Sequence, residues 1–113
     1  MTTDALTPKE FMMLFVEEVK EFCPAMLTPC VLDGIVAELL KLDKVTWKAV
    51  INAVSVFFIL LQVEMRIVDY IRFPSAFARD ALVRAIQQAV ASGISRKLID
   101  YYLASYGISL DGS

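Results

Sequence analysis

The side chains that could do chemistry in this sequence are few and scattered. Its 113 residues include no histidine and only two cysteines, Cys23 and Cys30. The commonest general base is therefore missing, and two cysteines alone cannot supply the ligands of a conventional zinc site. Serines, lysines, tyrosines and carboxylates are present, but no GxSxG, P-loop, GxGxxG or HExxH spacing groups them. No catalytic residue, metal site or cofactor is assigned, and the chain is expected not to be an enzyme.

One carboxylate stands apart. Glu64 has Leu60, Leu61, Ile67 and Val68 three and four residues away, so on a helix it sits among apolar neighbours. A carboxylate buried there without a partner would be costly. An arginine from a later helix or another subunit is the expected partner, with escape to water at an edge as the alternative. The role expected is that of a buried charge; no second acid or nucleophile lies close enough in sequence to suggest proton handling.

The remaining candidates concern recognition. Tyr101, Tyr102 and Tyr106 cannot all face one way on a helix, so at least one should reach the surface, where it could anchor an interface; ordinary amphipathic packing with a wet hydroxyl is the simpler reading. Arg79 and Arg84 join them as candidate interaction residues. The segment 87–103 places Ala89, Gly93 and Ile99 at the small, glycine and apolar positions of a helix-turn-helix pattern. Ser95, Arg96 and Lys97 would then open a helix facing a DNA major groove. Asp100 and the scarcity of bases depart from that pattern, and a plain helix–glycine–helix corner is the simpler reading.

Charge is distributed unevenly. Residues 1–43 carry three bases against eight acids, and residues 44–113 carry eight bases against five acids, within a net charge of −2. Mutual neutralisation of the two halves is the plain explanation; a basic partner-facing surface on the second half is the functional one. The start, Met1 to Leu6, has neither a basic region nor a long apolar stretch. A cytoplasmic or other reducing compartment is expected, with Cys23 and Cys30 as buried thiols and their pairing left open.

These residues need elements to carry them. Thr7-Pro8-Lys9-Glu10 combines a capping box with proline at the first helical position, so a helix is expected over about 8–22. Its apolar side is Phe11, Met12, Phe15, Val16, Val19 and Phe22. Thr28-Pro29 repeats the cap-and-proline start for a helix over about 29–42, buried through Leu32, Ile35, Val36, Leu39 and Leu40. A long helix follows from Asp43 or Thr46 to the residue before Pro74. Its polar residues Lys48, Asn52, Ser55, Gln62, Arg66 and Asp69 fall on one narrow stripe, so most of its circumference is expected to be covered, either at the centre of a bundle or at an oligomer interface. Trp47 is read as a lid on the core. The polar stripe interrupts the apolar run, which argues against membrane spanning. Ser75 and Gly93 bound a helix over about 76–92, with Ala78, Ala81, Ala85 and Ala89 as a small-residue face and Val90 among its bulk. Ser95 and Gly107 bound a helix over about 96–106.

The sequence thus predicts an all-α single domain over 1–113, with frayed ends at 1–6 and 108–113. Its architecture is a compact bundle of about five helices around a long central apolar helix, about 44–72. Apolar residues make up 58 % of the chain, more than so small a domain readily buries. The function expected is a non-enzymatic interaction or assembly module, a homo-oligomer or a subunit of a complex. The alternatives are a nucleic-acid-binding regulator using the 87–103 corner and a carrier of an apolar ligand.

Overall fold

The computed structural model describes residues 5–110, and every regular element among them is an α-helix. In order these are α1 (Pro8–Phe22), α2 (Thr28–Leu40), α3 (Trp47–Arg72), α4 (Ala76–Ala91) and α5 (Arg96–Ser105). The all-α class, the five helices and the long apolar helix in the middle of the order match the expectation from sequence. Residues 1–4 and 111–113, part of the ends expected to fray, lie outside the described residues. Contacts divide the chain into two units, 1–57 and 58–113, with the division inside α3.

In the first unit, α1 opens on the expected capping box. The Glu10 N–H donates to Thr7 Oγ1 at 3.1 Å, and the Thr7 N–H donates back to Glu10 Oε1 at 3.0 Å. Met12 and Val19 enter the core. Phe15 meets Phe57 edge-on at 5.3 Å between ring centroids, and Phe11 lies against Trp47 at 5.6 Å. Trp47 is nearly half exposed, so it flanks Phe11 rather than closing over a core. Phe22, expected on the buried side, is exposed, because it is the last residue of α1 and the chain turns away at Cys23 and Pro24.

The start of α2 corrects a second expectation. Thr28 is not its cap: Leu27 is, without a side-chain hydrogen bond, and Thr28 is the first helical residue, fully buried. Burial of Thr28 and Pro29 uses this turn for packing, with Leu32, Val36 and Leu39 continuing the buried side. Leu40 is partly exposed at the helix end. Cys23 and Cys30 are free thiols; Cys23 is half-buried and Cys30 is exposed, so the expectation of two buried thiols fails at Cys30. Cys30 follows the buried pair Thr28-Pro29, and the helical turn carries it outward. Thr46, not Asp43, caps α3, accepting the Ala49 N–H at 3.1 Å. Val50, Ala53 and Phe57 are its contribution to the first core.

In the second unit, α3 continues with Leu60, Val63, Glu64 and Ile67 buried. Phe73 N–H closes its last turn on Asp69 O at 2.9 Å, and Pro74 stops it. Ser75 caps α4 by accepting the Ala78 N–H. Leu82, Ala85, Ile86 and Ala89 are buried, whereas Val90 is partly exposed, one residue past the buried Ala89.

Helices α4 and α5 end in the same way. Gly93 (φ 96°) donates to Val90 O while Ile94 donates to Ala89 O; Gly107 (φ 70°) donates to Ala104 O while Ile108 donates to Leu103 O. These paired bonds are Schellman motifs, which need a left-handed residue that glycine supplies without steric cost. The second motif, with Arg79 Nη2 donating to Leu110 O at 3.4 Å, ties the segment after α5 to its own unit.

Two expected outcomes follow. Gly93→Ala meets no neighbouring atom, so it should cost only the conformational penalty of the left-handed region, about 1 kcal/mol in urea unfolding. At α1, the Thr7 backbone N–H and then its hydroxyl hold the Glu10 carboxyl below the ordinary glutamate range. A depressed folded pKa contributes stability that is complete above the unfolded value of about 4.3 and is lost as pH falls through the folded value. The melting-temperature advantage of the wild type over Glu10→Ala should therefore be present at pH 7 and shrink in acid below the usual carboxylate range.

Candidate interaction surface

The candidate residues from the sequence separate into distinct places. Glu64 is fully buried, and the hydroxyl of Tyr106, just past the end of α5, donates to its Oε2. Tyr106 is thus one partner of Glu64, and spacing alone does not point to it. The second core sets it: Ile99, Tyr102 and Leu103 are buried, and Tyr106 follows Tyr102 by one turn on the same side of α5. No described buried polar side-chain atom lacks a hydrogen-bond partner.

Tyr102 is fully buried, Tyr106 half-buried and Tyr101 exposed, with the Tyr101 ring edge-on to Tyr102 at 6.4 Å. One tyrosine of the three therefore faces outward freely. Arg79 is half-buried and reaches the Leu110 carbonyl, while Arg84 is exposed. The α4–α5 corner is built as the glycine spacing suggested. Ser95 caps α5 by accepting the Lys97 N–H, and Arg96 Nε lies 3.2 Å from Asp100 Oδ1. Among the described residues no group of three or more His, Cys, Asp or Glu is placed to hold a metal ion.

What the sequence does not resolve is which part of α3 the chain itself leaves open. The helix is expected to be covered over most of its circumference, by the bundle or at an oligomer interface, and the chain's own helices cover only part of it. Ile51 is 63 % exposed, Phe58 56 % and Met65 54 %. Val54, Leu61 and Val68 are half-buried between them. With Trp47 at the start, these positions follow a 4-3-4-3-4-3 spacing, which puts them on one line along the helix. The buried line, Val50, Ala53, Phe57, Leu60, Glu64 and Ile67, has the same alternation one residue earlier. Thus α3 carries three adjoining strips: one buried, one apolar and open, one polar and wet. The signal was present in the residue spacing, but two apolar repeats one residue apart read as one broad covered side.

The polar strip borders the open line. A shallow open depression of about 490 Å³ lies there, lined by Thr46, Lys48, Ala49, Ile51, Asn52 and Ser55. In the second unit, Phe73 and Phe77 are more than three-quarters exposed or nearly so, at 75 % and 78 %, beside a smaller depression at the α3–α4 turn.

Among the described residues α3 is the one helix long and apolar enough, by length and composition, to cross a membrane. The core helix of a water-soluble fold meets the same description, and 39 % of its apolar stretch is buried. Asn52, Ser55, Gln62 and Arg66 on its wet strip would each need a partner in hydrocarbon. No protein-family model, curated protein or solved structure matches the chain.

The Glu64–Tyr106 bond has a measurable consequence. Tyr106→Phe removes a donor from the fully buried Glu64 carboxyl and should destabilise the fold by about 1–3 kcal/mol, the cost of a hydrogen bond lost at a buried polar group. Urea unfolding checks it; an unchanged midpoint would mean the bond contributes nothing.

Proposed function

We propose that this chain is a non-enzymatic assembly module that associates with itself, and that the open apolar line of α3 is its contact surface. The observation supporting the reading is the exposure of Ile51, Phe58 and Met65 at seven-residue intervals along one helix. Single apolar residues on a surface are ordinary, but an aligned series of large ones is a seam, the arrangement by which helices pair. The sequence offers no competing chemistry: without histidine or a grouped set of nucleophile and base, the surface rather than a pocket is the distinctive feature.

The nucleic-acid reading draws less support. At the α4–α5 corner the Arg96 guanidinium is engaged by Asp100, and α5 offers only Arg96 and Lys97 as bases. Phosphate contacts by several free Lys or Arg side chains carry most DNA affinity.

Light scattering during size-exclusion chromatography, repeated across a dilution series, tests the proposal. The wild type should run above the monomer mass of 12.6 kDa at high concentration and approach it on dilution. Phe58→Glu places a charge in the middle of the seam, where desolvation would be expensive. It should raise the dimer dissociation constant at least tenfold. A wild type that stays monomeric at every concentration sinks the proposal.

A further inference from the structure

We infer that the partner is a second copy of α3 lying antiparallel, with Lys48 of each copy beside Asp69 of the other; this rests on the self-association reading above. In a coiled-coil pair the seam alternates between two positions, a and d, and flanking e positions set orientation. On α3, Ile51, Phe58 and Met65 take a, while Val54, Leu61 and Val68 take d. The e positions are then Lys48, Ser55, Gln62 and Asp69, all four exposed. The other flank, Val50, Phe57 and Glu64, is buried in the chain's own cores and is closed to a partner.

The order of those four residues decides the orientation. An antiparallel pair that matches a to d layers sets Phe58 against Leu61 of the second copy and Ile51 against Val68. The same register brings e positions together across the pair, Lys48 with Asp69 and Ser55 with Gln62, twice each by the two-fold symmetry. The strip is therefore complementary to itself when reversed: a cation at one end, an anion at the other, two neutral hydrogen-bonding side chains between. A parallel pair would set Lys48 level with Lys48 and Asp69 level with Asp69, and would leave those complementary groups far apart. Asp69 already lies 3.5 Å from Arg66 Nη1 on its own helix, both side chains about half exposed. That loose pair leaves the carboxylate accessible to a second cation.

The experiment has two readouts. For distance, spin labels are placed at Arg72→Cys in a Cys23→Ser/Cys30→Ser background of the full chain. At a 1.5 Å rise per residue the two labels should be about 38 Å apart in the antiparallel dimer, and under about 20 Å in a parallel one. For charge, Lys48→Glu should weaken the dimer about tenfold by setting acids face to face, and Lys48→Glu/Asp69→Lys should restore it to within about twofold. A dimer with the short distance, or one that Lys48→Glu leaves unchanged, overturns the antiparallel arrangement while leaving self-association standing. A monomer at every concentration overturns both. Flotation of the wild type with phosphatidylcholine vesicles, abolished by Phe58→Glu, would assign the seam to lipid and overturn it as well.

Discussion

α3 has more apolar circumference than this chain covers. A helix buried against neighbours on one side normally shows one apolar stripe and a polar remainder. Here a second apolar line runs beside the first, one residue out of step, before the polar strip begins. The remaining helices are short, between 10 and 16 residues, and a chain of 113 residues has limited surface with which to enclose a 26-residue helix. What is enclosed is the line from Val50 to Ile67. What is left over is the line from Ile51 to Val68, and the functional reading follows from that surplus.

The buried line also contains its one expense. Glu64 occupies a position where a leucine would pack without any polar requirement. The Tyr106 hydroxyl answers it, and Tyr106 is in turn fixed by the Schellman turn that ends α5. A carboxylate in the second core thus links the middle of α3 to the last turn of the last helix. Burying a polar pair of this kind seldom adds net stability over apolar packing. It does penalise arrangements in which α5 packs in another register, because those leave Glu64 without the tyrosine.

Local signals in the sequence were read accurately where they were self-contained. The capping box at Thr7 and Glu10, the serine caps at Ser75 and Ser95, and the glycine stops at Gly93 and Gly107 depend on residues within a few positions of each other, and each is found as the spacing implied. Thr28 shows the limit of the same logic. Its pairing with Pro29 has the form of a helix start, yet burial of Thr28 against the first core makes it the first helical residue and shifts the cap to Leu27. Exposure failed to follow from composition for a related reason. Phe22, Leu40 and Cys30 are apolar or weakly polar residues at or near helix ends, where a small rotation decides whether a side chain meets a neighbour or water.

The sequence by itself determined the helices: their number, most of their boundaries within a residue or two, and the polar strip that must face water on α3. Those properties follow from backbone hydrogen bonding and from periodicity, both of which act over a few residues. Tertiary structure alone decided which of the two apolar lines on α3 is enclosed, and that Tyr106 meets Glu64. Both lines are mainly apolar at the same spacing, and the one charge, Glu64, lies on the line that is enclosed, so local polarity does not identify the covered side. The choice depends on where the other helices place Met12, Leu32, Leu82 and Tyr102, and those positions are set by packing between segments far apart in the chain.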